Sequence, residues 1–128
     1  MIVVGLVLAG VAAAIHGYVF VMESLTWTSP RTRATFGTSP DEAAATKELA
    51  FNQGFYNLFL AVLVVLGSVL YAADRRDVGL TLVVAGAGSM AAAGVVLLVS
   101  SPSKARAALV QLVPPALGVL AVVVGLTA

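Results

Sequence analysis

Residues 50–73 read AFNQGFYNLFLAVLVVLGSVLYAA, a stretch that opens with two asparagines, a glutamine and a tyrosine and then runs on almost wholly apolar, without a charge. A helix needs about 20 residues to cross the hydrocarbon of a bilayer. This stretch supplies them, and so do three others, at 2–22, 78–99 and 107–127. The whole chain agrees: 128 residues, 60% hydrophobic and 10% charged, with a mean hydropathy of +1.04. A soluble domain of this size has too little interior to hide so much apolar surface. The reading is an all-α polytopic membrane protein, a single domain over 1–128. Connectors of a few residues make neighbouring helices antiparallel, so the four transmembrane helices form an up-down bundle whose main partner is the lipid bilayer.

Charge and cysteine content narrow the chemistry. A net charge of +1 implies no nucleic acid partner, and no run of Lys and Arg marks a patch for anionic lipid. The absence of cysteine excludes thiol redox chemistry, iron–sulfur ligation and cysteine zinc sites. Metal binding is not expected either, because the one histidine, His16, has its nearest carboxylate seven residues away, and two ligands on one helix need a spacing of three or four. No cofactor is expected. The first 14 residues resemble a signal peptide ending at AAA, but they lack a basic start and the apolar pattern continues through IHGYVFVM, so a retained first span is expected.

The connector at 24–49 carries the chain's main departure from membrane composition. Its SPDE (Ser39 to Glu42) is a capping box with proline at the first helical position, which predicts that the second helix begins near Pro40 and stands out of the membrane by some turns. Ser29-Pro30 predicts a short interfacial turn containing Arg31 and Arg33. Ser101-Pro102 plays the same part before the fourth helix, and Asp77 is placed to cap the third. Arg31, Arg33, Lys47, Lys104 and Arg106 flank the first and third connectors, against Arg75 and Arg76 on the second. That bias predicts a multi-pass protein of the plasma membrane with those two connectors cytoplasmic and both termini outside.

The third span is rich in small residues. Ala85, Ser89 and Ala93 lie four apart, a close-packing seam against another helix or, in a homo-oligomer, another subunit. Its GAGSMA matches a dinucleotide fingerprint by letter only, since no strand precedes it and no helix starts there to take a phosphate.

Polar residues fall in an ordered way. On the first helix His16, Phe20, Glu23 and Trp27 are spaced four, three and four, so they share one stripe. On the second, Glu48, Asn52, Tyr56 and Phe59 form a stripe, with Gln53 and Asn57 in the neighbouring row. Antiparallel packing sets Glu23, Asn52, Gln53 and Gln111 at one membrane side, with His16 about 10 Å deeper than Glu23 at 1.5 Å per residue. These residues, with Tyr56 and Asn57, predict a pocket open toward the first and third connectors. Pro114 and Pro115 lack the N–H groups that would bond the carbonyls of Val110 and Gln111, which leaves two acceptors near the same place.

An ionisable group at mid-depth of a span costs about 2.5–3.5 kcal/mol to insert and is a functional candidate by default. Against this stand plainer roles: Glu23 solvated at the boundary, His16 satisfying a hydrogen bond in the core, and the amides serving as interhelical glue. Trp27 and Tyr71 fit interface anchors, and Arg75 with Arg76 topology determinants. No serine or threonine stands beside His16 on the polar stripes, so nucleophilic catalysis is disfavoured. The leading reading is a pocket of His16, Glu23, Asn52, Gln53, Tyr56, Asn57 and Gln111 that binds a small amphipathic or lipidic ligand, with proton-coupled transport as its extension. The first alternative is an acid–base isomerase or hydratase of an isoprenoid or lipid, with Glu23 and His16 exchanging protons. The second is a structural or accessory subunit.

HGYVFVMESLTW (16–27), PRTRATFG (30–37), KELAFNQGFYNLFLA (47–61) and LVQLVPPAL (109–117) together resemble the family of small four-helix membrane proteins known as domain of unknown function 1304. The resemblance covers nearly the whole chain. Its HxYxFxxE-like, FG and NQGxYN signatures fall on His16, Tyr18, Phe20, Glu23, Phe36, Gly37, Asn52, Gln53, Gly54, Tyr56 and Asn57. Ser24 stands where an apolar residue such as methionine is expected after the glutamate. The resemblance implies a four-span membrane protein and brings no established activity with it.

Overall fold

A computed structural model describes residues 1–128. The chain is helical throughout and has no strand. Helix α1 spans Ile2–Phe20 and continues as a π-turn over Val21–Leu25; α2 spans Pro30–Phe36, α3 Pro40–Ala45, α4 Lys47–Ala72, α5 Arg76–Ser100 and α6 Ala105–Thr127, the last preceded by a 3₁₀ turn over Pro102–Lys104. Four of these segments are long and apolar enough to cross a membrane: Ile2–Leu25, Lys47–Ala72, Arg76–Ser100 and Pro102–Thr127.

The four long helices form a bundle in which α1 lies between α4 and α6, and α5 completes the ring between the same two. Small residues line the contacts. Ala9, Ala12 and Ala13 of α1 meet Ala61 and Val64 of α4 and Val83, Ala87 and Met90 of α5 in the central core. Lipid gives helices no hydrophobic reason to associate, so close packing of backbones must do it, and small side chains permit that approach. The α4–α5 contact shows the limit: a Cβ on Gly79 would stand 2.5 Å from the amide nitrogen of Tyr71 and 2.6 Å from the carbonyl oxygen of Gly67. Outward-facing side chains include Val3, Val7, Val62, Val65, Val69, Val96 and Leu120, all exposed. In water such a belt would aggregate; in a bilayer it meets its solvent.

The seam expected from Ala85, Ser89 and Ala93 does not form against another helix of the chain. All three residues are exposed on the outer face of α5, which packs within the bundle through Gly79, Leu80, Val83, Gly86, Ala87, Met90 and Gly94. The Ser89 hydroxyl donates to the Ala85 carbonyl at 2.8 Å and so is satisfied on its own helix.

The connectors also depart from expectation in detail. The SPDE box forms as predicted: the Glu42 amide donates to the Ser39 hydroxyl at 3.2 Å and the Ser39 amide to the Glu42 carboxylate at 2.8 Å. The helix it starts does not run on into the span, because Thr46 interrupts it between α3 and α4. There the Thr46 hydroxyl donates to the Glu42 carbonyl at 2.7 Å and accepts from the Trp27 indole at 3.1 Å, a side-chain bond to the backbone that competes with the regular ladder. Ser29 caps α2 as its sequence suggests, through the Thr32 amide at 3.2 Å. Asp77 does not cap α5: it lies inside the first turn, behind a tight turn in which Asp74 takes φ 59°, a left-handed conformation that aspartate tolerates. Ser101 precedes a 3₁₀ turn rather than an α-helix and makes no side-chain cap bond.

Hydrogen bonds from the Ser39 backbone and then its side chain hold the Glu42 carboxyl below its ordinary value of 4.5, with the charge of Lys104 a smaller contribution. A carboxyl depressed by folding stabilises above its unfolded pKa, and that contribution fades as pH falls through the lower folded value. Carboxyl NMR should therefore give Glu42 a midpoint below 4.5, and Ser39→Ala should raise it. An unchanged midpoint in that variant would mean that the Ser39 hydroxyl contributes nothing and the backbone N–H alone holds the carboxylate.

Candidate functional site

The π-turn sets the geometry of the first polar feature. Its wider winding, with the Thr26 amide bonded to the Val21 carbonyl at 3.1 Å, carries Glu23 and Ser24 against the start of α4. The Ser24 hydroxyl donates to the Phe51 carbonyl at 2.8 Å. Gly54 makes the approach possible, since a Cβ there would collide with the Ser24 hydroxyl and lie 3.1 Å from the Glu23 Cβ. One turn along α4, the Asn57 amide donates to Glu23 Oε2 at 2.9 Å and to the Gln53 carbonyl at 3.2 Å. Phe20 and Phe55 close the inner side edge to face, with centroids 5.1 Å apart. The NQGxYN signature thus has a local reason: glycine admits α1, and asparagine serves its carboxylate.

His16 is a separate matter. It is 2% exposed, and its Nδ1 lies 2.9 Å from the Ala12 carbonyl. A carbonyl only accepts, so Nδ1 carries the hydrogen, and Nε2 is left with no partner in the chain. No hydrogen bond joins His16 to Glu23. Asn52, Gln53 and Tyr56 are exposed, Tyr56 at 71%, and their side chains make no hydrogen bond within the chain. Of the seven predicted residues, the structure directly joins Glu23 with Asn57 and, through its main-chain carbonyl, Gln53.

Gln111 belongs to a different place. It lines a recess of about 550 Å³ between α1, α2 and the start of α6, with Tyr18 and Met22 on one wall, Phe36 and Gly37 from the end of α2, and Lys104, Arg106 and Val110 on the other. This recess lies beyond the face of α1 that meets α4. Gly37 makes its rim by taking φ 68° to end α2, a conformation natural to glycine. Val110 and Gln111, whose carbonyls lose their N–H partners to Pro114 and Pro115, are both in its lining. Depth and helical spacing alone do not bring Tyr18, Phe36, Gly37, Lys104 and Arg106 here. The first three carry a signal in the HxYxFxxE-like and FG signatures; the two cations carry one only in the charge bias of the connectors.

A family model described as "Protein of unknown function (DUF1304)" matches residues 10–123. No curated protein and no solved structure matches the chain.

Proposed function

We propose, from the premise that the chain belongs to the family of proteins of unknown function DUF1304, that it is a four-span membrane protein which binds a small amphipathic or lipidic molecule. The observation that carries this reading is the recess between α1, α2 and α6. Its volume of about 550 Å³ lies within the range of about 300–1,000 Å³ typical of small-molecule sites. Its walls combine apolar side chains (Ile15, Met22, Phe36 and Val110) with hydroxyl, amide and cationic groups, the mixture an amphiphile needs.

The up-down arrangement of the spans is part of the reading. It is supported by Gly5 of α1 lying against Gly118 and Val122 of α6, Gly67 of α4 against Gly79 of α5, and Gly94 of α5 against Leu112 of α6. The charge bias of the connectors supports the recess opening on the cytoplasmic side. The outward Ala85, Ser89 and Ala93 stripe suits a second copy of the chain.

Native mass spectrometry of the full chain, purified in mild detergent, tests the site. Wild type should retain bound amphiphile, and Ala107→Trp, which fills the recess from α6, should lose most of it while keeping helicity and monodispersity. Retention at the wild-type level in that variant would remove the recess from consideration.

A second reading, proton-coupled movement of the ligand, is favoured by the Glu23–Asn57 bond at 2.9 Å, which keeps a carboxyl at the end of a span with a single amide donor. In proteoliposomes, Glu23→Gln should abolish proton-linked flux and leave ligand occupancy in place; flux that persists in the variant would end this reading.

A further inference from the structure

We infer that the recess between α1, α2 and α6 selects lipids with an anionic phosphate head, held at its rim by Lys104 and Arg106 while the tail runs along α1 and α6. The inference rests on the ligand-binding reading above and names the class of ligand. It comes from how charge is distributed in the lining. Lys104 and Arg106 both face the recess, and no aspartate or glutamate does. Neither cation has a carboxylate within salt-bridge distance, the one ion pair in the chain being Arg76 with Asp74 at the other end of the bundle. Glu42 lies near enough for its carboxyl to feel Lys104, but outside the lining. Two cations facing a cavity without an opposing acid, beside the hydroxyl of Ser103, favour an anion rich in oxygen.

Depth adds the second half of the ligand. Along α1 the lining runs from Met22 to Ile15, seven residues or roughly 10 Å at 1.5 Å each. Along α6 it runs from Arg106 to Val110 and Gln111, toward the middle of the helix. The cations therefore mark the outer end, and Ile15 and Val110, with the Gln111 amide beside them, the inner end, a polarity that matches a membrane lipid standing in its leaflet. The sequence holds no linear run of Lys and Arg, and the two cations that matter lie at the end of the third connector and in the first turn of α6. The fold makes them a site by setting α2 across from them.

The test uses the full chain in mild detergent, titrated with dioleoyl phosphatidylglycerol or dioleoyl phosphatidylcholine, with occupancy read by native mass spectrometry. Wild type should prefer the anionic lipid about tenfold, somewhat below what two fully engaged cations at a membrane surface would give, since Lys104 and Arg106 are both exposed. Lys104→Gln/Arg106→Gln should bring the preference close to one without reducing phosphatidylcholine occupancy, and Arg106→Lys should keep most of it. Inorganic phosphate at millimolar concentration should not displace the bound lipid. Equal binding of both lipids by wild type, or a preference unaltered in the double variant, overturns the inference while leaving the recess as a lipid site. Displacement by inorganic phosphate also overturns it, pointing to a free anion. Ala107→Trp separates the two levels: if it leaves binding of both lipids intact, the underlying reading fails as well.

Discussion

Gly79→Leu should destabilise the bundle by about 3 kcal/mol, the upper end of the usual overpacking range. Any side chain there meets backbone rather than a movable neighbour. The Tyr71 amide nitrogen and the Gly67 carbonyl oxygen would lie 2.5 and 2.6 Å from the new Cβ, so α4 and α5 must separate along their contact. Gly88→Leu on the same helix is the control, because nothing lies within 4 Å of a Cβ at that position. Unfolding in mixed detergent, followed by helicity, should show a large loss for the first variant and little change for the second. Equal effects would mean that α5 tolerates a shift the packing forbids.

The second large effect is expected at Asn57. Asn57→Leu removes the one side-chain donor to Glu23 and should lower stability by about 1–3 kcal/mol, the penalty for leaving a partly buried polar group unmet. Glu23→Gln should be far milder, since the oxygen of its amide still accepts from Asn57. Glu23→Met/Asn57→Leu should recover most of the loss, because an apolar pair in an apolar setting leaves nothing unsatisfied. With Glu23→Met alone as the other single variant, the cycle separates coupling from simple truncation. If the two single losses merely add in the double variant, the 2.9 Å bond contributes nothing to holding α1 against α4.

Both predictions bear on the same division of labour. Gly54 and Asn57 hold the π-turn of α1 on α4, while the recess lies on the far side of α1, against α2 and α6. A ligand in the recess touches Tyr18 and Met22 of the segment whose other face carries Phe20 and Glu23. A few residues of helix therefore separate the proposed lipid site from the candidate proton-handling carboxyl.

Much of this was legible in the chain. Uninterrupted apolar length identified the four spans, because the hydrocarbon thickness fixes how many helical residues are required. The Ser39 and Glu42 box and the Ser29 cap were readable because capping depends on residues three apart and on little else. Helical spacing brings Glu23 and the polar start of α4 to one membrane side, but it sets Asn57 a turn deeper than Asn52 and Gln53, so the bond from Asn57 to Glu23 comes from the packing of α1 on α4.

Spacing could not separate the faces. Gln111 shares the depth of Asn52 and Gln53 yet lines the recess, while they point outward from α4. Ala85, Ser89 and Ala93 have the spacing of a packing seam, yet Gly79, Val83, Gly86 and Met90 occupy the interior.

The sequence by itself determined how many helices are long and apolar enough to cross a bilayer and where the two short ones, α2 and α3, begin, since these follow from hydrocarbon thickness and local hydrogen bonding. Tertiary structure alone decided which face of each helix turns inward and which polar residues meet. In a soluble helix an apolar stripe marks the buried side, but here lipid and core are both apolar, so the pattern carries no sign of direction. Steric fit between glycines and the side chains opposite them settles it instead, and that is a property of two helices together.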